Sequence, residues 1–296
     1  MSQLQEKLKA NNFVVTAEIM PPKGVDVSKA LQTAQVLRSW VDAVNVTDQQ
    51  SAMMSLGSLS LCHLIKDAGL EPILQMTTRD RNRIALQSDL LSACVLGIEN
   101  VLCLSGDPVT AGDHPDAKPV FDLDTIALIQ TARTLEKGRS LAGKPLEGAP
   151  KFFLAAAVSP AVEPIEPQLV GMEKKIQAGA QFFQTQALFD AALFERFMER
   201  AHRFGAPVLA GMVLVKSGNQ ARFMNEHVYG IKVPEALIRE MDAAEDRKRK
   251  CVEISARLIQ ELKPFCQGVH IMAIGWEGLI PDILKLSGVR TKPGPV

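Results

Sequence analysis

Phe13-Val14-Val15-Thr16-Ala17-Glu18-Ile19-Met20-Pro21-Pro22 is an apolar run that carries one carboxylate near its end and stops at two prolines. A nearly continuous apolar run bounded by such a stop reads as a buried strand of a parallel sheet covered by helices. The prolines cannot donate to a strand ladder, and they fix the backbone that follows. A charge at the end of a hydrophobic strand is costly to desolvate, so Glu18 is either put to chemical use there or reaches solvent. In the first case it is a candidate proton donor.

Seven further runs of this kind follow, at Ala43–Val46, Pro72–Met76, Val101–Leu104, Phe152–Val158, Phe182–Thr185, Val208–Val215 and Val269–Ile274. Segments with helical periodicity lie between them. Ser28–Ser39 places Ala30, Leu31, Ala34 and Leu37 on one face, and Leu59–Ala68, Arg81–Leu96, Asp124–Lys137, Pro167–Ala178 and Asp190–Phe204 each run into a glycine. Glycine just past a helix is a stop signal. Gln220–His227, Pro234–Leu262 and Leu279–Leu286 complete the set. Eight strands alternating with helices predict an α/β fold, a (βα)8 TIM barrel, over a doubly wound sheet. No linker rich in Gly, Pro or Ser separates two halves. The expected organisation is one barrel domain over 1–296 with an extra helical segment at about 217–263.

Composition narrows the function classes. The 296 residues are 47% hydrophobic, enough for a sizeable core, and Lys+Arg and Asp+Glu both number 33. A balanced charge argues against nucleic acid or acidic lipid as partner. The run Glu245-Asp246-Arg247-Lys248-Arg249-Lys250 mixes both signs, as on a solvated helix face or a subunit contact. Five scattered cysteines without a CxxC pair read as reduced thiols, and the N-terminal stretch MSQLQEKLKANN has no apolar signal region. The expectation is a cytoplasmic protein with no membrane span. Asp113-His114 and Glu226-His227 lack further ligands nearby, so no catalytic metal is expected.

In a barrel of this kind the active site forms at the carboxyl ends of the strands. Glu18 then shares one opening with Thr47-Asp48, Gln75 to Thr77, Gly106-Asp107, Ser159, Gln184 to Gln186, Lys216-Ser217 and Gly275-Trp276. Gly106 can relax the backbone beside a planar ligand and Asp107 can accept a hydrogen bond, although Ser105-Gly106-Asp107-Pro108 equally suits an Asx-type turn. The long segment from Asp107 to Phe121 can cover a ligand or be a surface loop. Thr77, Arg79, Arg81 and Arg83 offer hydroxyls and guanidinium groups to a pyrophosphate, against the alternative of a charged, capped first helical turn. Neither G-x-G-x-x-G nor a Walker pattern occurs.

Several segments, in collinear order, resemble the short, single-barrel form of the methylenetetrahydrofolate reductase family. They are Ala17-Glu18-Ile19-Met20-Pro21-Pro22, Val44-Asn45-Val46-Thr47, Leu104-Ser105-Gly106-Asp107, Gly179-Ala180-Gln181 through Thr185-Gln186 and Phe189-Asp190, and Ala210-Gly211-Met212 with Val215. The resemblance implies a flavin-containing barrel that reduces 5,10-methylenetetrahydrofolate to 5-methyltetrahydrofolate. It implies FAD, or else FMN, with NADH, NADPH or a redox-protein partner as electron source. By matching segments it makes Glu18 the acid that opens the bridging ring. Asp107 becomes the group that orients the pterin near the flavin, and Gln186 a folate contact. Thr47, Gln75 and Gly106 fall near the flavin ring, with Thr77, Arg79 and Arg81 toward its phosphates. Ser105 stands at the arginine of the family's R-G-D segment, Ala210 at its strand proline, Gln75 at a common His, and Trp276-Glu277 at a common Asn-Arg. Ala187-Leu188 interrupts the usual aromatic run after Gln186. These departures keep open a weakly catalytic flavoprotein subunit that docks a redox partner. The main enzyme alternative is a flavin or folate barrel with methyl-transfer chemistry. The partner expected beside folate is a redox protein or a second copy of the chain in a homo-oligomer.

Overall fold

The computed structural model describes residues 1–291; residues 292–296 of the expected barrel span lie outside the described residues. Eight parallel strands close into a barrel in chain order. They are β1 (Val14–Ile19), β2 (Ala43–Val46), β3 (Pro72–Thr77), β4 (Asn100–Leu104), β5 (Phe153–Val158), β6 (Phe182–Ala187), β7 (Val208–Val213) and β8 (Gly268–Met272). The helices are α1 (Gln3–Lys9), α2 (Ser28–Leu37), α3 (Ser58–Asp67), α4 (Arg83–Val95), α5 (Thr125–Glu136), α6 (Glu166–Ala178), α7 (Ala191–Ala201), α8 (Gly218–His227), α9 (Glu235–Asp242), α10 (Arg247–Leu262) and α11 (Ile280–Leu286). The expected barrel is the fold found. Its outward strand side chains and the inner helix faces form one large apolar layer, which includes Val15, Ala17, Leu61, Leu90, Leu128, Phe197 and Ile259.

Side-chain caps explain where several helices begin. Asn82 accepts from the amides of Ile84 and Ala85, Asp124 from Ala127, Asp190 from Leu193 and Ser217 from Gln220. Each satisfies an amide that the first helical turn leaves unpaired.

Three expectations need correction. Pro234–Leu262 is two helices, because Asp246 turns its carboxylate onto the amides of Lys248 and Arg249 and starts α10 afresh. The charged run therefore sits at that break, where Lys250 and Arg257 pair with Glu240, and Lys250 and Arg249 with Glu253, at the surface. Strand β8 ends at Met272, two residues early, because Ile274 (φ 48°) and Gly275 (φ 88°) turn left-handed. Strand β7 likewise stops at Val213 rather than Val215.

The amino-terminal helix α1 has no counterpart in the sequence reading. Its two apolar residues, Leu4 and Leu8, sit one turn apart and are buried with Val14, Ile73, Leu102, Phe153, Phe182 and Leu209 inside the lower end of the barrel. Ser2 caps the helix through Gln5 N–H, and Glu71 accepts from the amides of Gln3 and Leu4. The helix is a stopper. No helix among the described residues is long and apolar enough to cross a membrane.

Candidate functional site

A cavity of about 370 Å³ opens at the carboxyl ends of the strands. Its apolar wall comes from Leu102, Leu104, Ala157 and Met272, and its polar wall includes Glu18, Gln75, Gln184, Gln186 and His270. Such a volume and mixture suit a small planar ligand. Gln184 and Gln186 both line the cavity, across an irregularity in the β6 register between Gln184 and Ala187.

Three carboxylates line this space, from Glu18, Asp48 and Asp107. Two are already engaged. Asp48 accepts from Thr77 N–H at 2.8 Å, from the Thr77 hydroxyl at 2.9 Å and from the Arg81 guanidinium. Asp107 accepts at Oδ2 from Ser51 N–H at 3.0 Å. Glu18 is different: it is 7% exposed, faces His270 Nε2 at 3.7 Å, and makes no hydrogen bond among the described residues. Burial without a hydrogen bond leaves this carboxyl group available to a ligand.

The neighbours of Asp107 form an interlocked rim. Arg79 is 1% exposed; it bonds Asp80 and donates to the carbonyls of Asp107 (3.0 Å) and Gln49 (3.1 Å). The bond to Asp80 raises the pKa of the Arg79 guanidinium further above its usual range. Gly106 has φ 91°, and a Cβ there would stand 3.1 Å from Arg79 Cβ and 3.2 Å from Thr77 Cβ. A side chain there would crowd Arg79 and Thr77, while the Gly106 backbone itself lines the cavity. Gly112 lies against the Ala52 carbonyl so closely that no side chain fits. Asp113 accepts from Lys23 and from Met54 N–H, and these bonds, Lys23 first, hold its carboxyl well below the usual carboxylate range.

The sequence-derived residues therefore separate. Glu18, Gln75, Thr77, Arg79, Gly106, Asp107 and Gln186 all reach the cavity wall. Thr47 and Arg81 do not line it: Thr47 is 2% exposed, and Arg81 turns back onto Asp48 and Asp89. The expected convergence of arginines on an anion is corrected in the same way, since Arg83 lies outward on Asp122. Each guanidinium at this strand exit already has a carboxylate. Trp276 and Glu277 also stand off the cavity. Lys216 Nζ lies 5.6 Å from the Trp276 ring centroid, and Glu277 accepts from Gly275 N–H at 2.6 Å.

Three buried polar residues escaped the sequence reading. Thr16, Asn45 and His270 lie inside the barrel next to Glu18, with His270 paired in register to Thr16 and Asn45 to Glu18. Their signal was present: each is a polar residue within an otherwise apolar strand. Lys175 was also missed. It donates to the Ala157 carbonyl at 2.7 Å from behind the wall, and burial lowers its pKa.

Comparison with known proteins agrees with this architecture. A worm protein, the probable methylenetetrahydrofolate reductase (NADPH) of Caenorhabditis elegans, is 23% identical over 231 residues, 75% of this chain and 33% of that protein. Methylenetetrahydrofolate reductase 2 of Schizosaccharomyces pombe is 24% identical over 233 residues, 74% of this chain and 36% of that protein. The chain thus spans about a third of the length of these curated relatives. Among solved structures, an uncharacterized protein from Clostridium thermocellum, described as binding two copies of 5-methyl-5,6,7,8-tetrahydrofolic acid, superimposes with a TM-score of 0.69. It is 16% identical, with 97% of this chain and 98% of that one covered. A 2,3-dimethylmalate lyase shares the fold at a TM-score of 0.53 and 11% identity, with 100% and 91% covered. The family model for methylenetetrahydrofolate reductase matches residues 3–288, nearly the whole described barrel, and the chain accordingly belongs to the methylenetetrahydrofolate reductase family.

Proposed function

We propose that this barrel reduces 5,10-methylenetetrahydrofolate to 5-methyltetrahydrofolate, with Glu18 as proton donor. The observation that carries the reading is the state of the three cavity carboxylates. Asp48 is held by the protein and the exposed Asp107 accepts one bond through Oδ2, whereas Glu18 is buried at a strand end with no hydrogen bond among the described residues. In the proposed step the Glu18 carboxyl group gives its proton to the bridging amine nitrogen. The bond from the methylene carbon to that nitrogen breaks, and a cationic iminium remains. Addition of a hydride to that carbon then completes the methyl group. Gln186 and Asp107, on the same wall, are the proposed pterin contacts, and Asp107 offsets the developing positive charge.

A flavin ring suits the cavity. Leu102, Leu104 and Ala157 supply apolar contact, and the Gln75 carboxamide, without a hydrogen bond among the described residues, can meet a ring edge. Gln75, Gly106 and Asp107 would hold FAD or FMN, which supplies the hydride when bound and reduced. Thr77, Arg79 and Arg81 support that wall through Asp48 and the rim loops, with Thr47 behind it. A phosphate at this exit competes with Asp48, Asp80 and Asp122 for the guanidinium groups.

That competition favours a second reading, a barrel that binds folate without a flavin. The Clostridium thermocellum neighbour, described by its two bound 5-methyltetrahydrofolate molecules, supports folate binding under either reading. One experiment separates the two. Purified full-length protein is scanned for a flavin absorbance band, reduced anaerobically with NADH, NADPH or dithionite, and mixed with methylenetetrahydrofolate. Reoxidation of the band by the folate is the expected result, and the nicotinamide that bleaches it identifies the donor. Bleaching by dithionite alone indicates a redox-protein partner. Protein that cannot be loaded with FAD or FMN yet binds 5-methyltetrahydrofolate supports the second reading.

A further inference from the structure

At the floor of the cavity, a hydrogen-bonded row that includes the lining residues Gln184 and His270 crosses the inside of the barrel. Asn45 on β2, Gln184 on β6, Thr16 on β1 and His270 on β8 are each 4% exposed or less. Asn45 Nδ2 donates to Gln184 Oε1 at 2.7 Å, and Gln184 Nε2 returns a bond to Asn45 Oδ1 at 3.0 Å. The second proton on Gln184 Nε2 points to Thr16 Oγ1 at 3.4 Å. Thr16 Oγ1 lies 2.9 Å from His270 Nδ1, and His270 Nε2 stands 3.7 Å from Glu18 Oε2.

With the two amides oriented in this way, the direction of the rest of the row follows from counting protons. A hydroxyl has one proton to give. Thr16 Oγ1 accepts from Gln184, and its own proton has two acceptors in reach, His270 Nδ1 at 2.9 Å and the Val269 carbonyl at 3.5 Å. The shorter contact takes it. An imidazole that accepts at Nδ1 carries its proton on Nε2. That nitrogen faces Glu18.

We propose that the Asn45–Gln184 amide pair sets the tautomer of His270 and so aims an N–H at Glu18, which makes Asn45 and Gln184 positioning residues for the proton-donating carboxyl group. The inference rests on the role given to Glu18 above. A reciprocal amide pair inside a barrel has two orientations, and exchanging them reverses every donor in the row. Gln184 Oε1 would then accept from Thr16, Thr16 would accept from His270 Nδ1–H, and a bare lone pair would face Glu18. In a low-dielectric interior, leaving any of these groups unpaired is costly, so the row moves as a unit.

The tautomer can be read without substrate or cofactor. Full-length protein labelled with ¹⁵N-histidine gives long-range ¹H–¹⁵N correlations that distinguish Nε2–H from Nδ1–H, with His270→Gln identifying the signal. The expected wild-type result is Nε2–H. Replacing the pair with apolar residues, Asn45→Leu with Gln184→Leu, should convert that signal to a mixture. It should also slow folate-dependent reoxidation by less than Glu18→Gln does. The exchanged pair, Asn45→Gln with Gln184→Asn, should restore the wild-type signal. A wild-type Nδ1–H tautomer overturns the proposal, even if the Leu pair does not fold; so does a folded Leu pair with an unchanged His270 signal. Failure of the Glu18 role shows separately, as full turnover in Glu18→Gln with the tautomer intact.

Discussion

Arg79 donates through Nη1 to the main-chain carbonyl of Asp107 at 3.0 Å, so a cation singled out by its charge serves as a clamp between loops. Its other contacts reach Gln49 O and Asp80, so four of its five N–H donors are engaged by the protein. Removing the fork by Arg79→Leu should cost about 2–4 kcal/mol, since charge-assisted hydrogen bonds contribute a few kcal/mol together. Arg79→Lys should recover little of this, because an ammonium cannot reproduce the planar fork. Urea unfolding of the purified variants measures both.

Glu18→Gln should fold and keep the cavity while losing the proton. The expected loss of folate-dependent reoxidation is about 10²- to 10⁴-fold, the usual contribution of a general acid. In the proposed flavin-dependent reaction, reduction of the flavin by a donor should change far less. Stopped-flow half-reactions separate the two steps, and unaltered reoxidation would remove Glu18 from the mechanism.

The stopper helix has an energetic signature of its own. Leu4 and Leu8 are 0% and 3% exposed in the lower barrel, so Leu8→Ala should cost about 2–5 kcal/mol. Thermal and urea unfolding test this. Ligand affinity at the opposite end should be nearly unchanged, and a large fall in it would show that the two ends are coupled.

Asp122 supplies a pH test. Its bonds to the Arg83 side chain and amide lower its pKa from 3.8 to about 2. A carboxyl depressed in the folded state contributes stability above its unfolded value, and that contribution fades as pH falls from 3.8 through about 2. The stability difference between wild type and Asp122→Asn should therefore be constant above pH 5 and close over that window. A difference that stays the same down to pH 2 would rule out the Arg83 pairing as its source.

How much of this was legible beforehand depended on whether the cause was local. Continuous apolar runs and glycine stops are local, and they marked eight strands in the right order. Glu18 stood out because a charge in an apolar run is visible without any partner. The arginines were legible as charges, but their carboxylate partners were not. Asp48 lies 33 residues from Arg81 and Asp122 lies 39 from Arg83, and only folding brings them together. Thr16, Asn45 and His270 were passed over for the same reason: each looks like an isolated polar residue until the barrel closes. Helix α1 offered only Leu4 and Leu8 as apolar anchors, too few for a periodic signal.

Among the described residues, α1 fills the lower end, and the cavity opens at the upper end of the barrel. Whatever arrives through the upper opening must depart through it. Two occupants that enter in succession can leave only in reverse sequence, unless they lie side by side. A tight inhibitor seated near the rim would then trap a deeper occupant as effectively as it excludes a new one. The upper opening, rather than the groups beneath it, becomes the place where entry to and exit from this cavity meet.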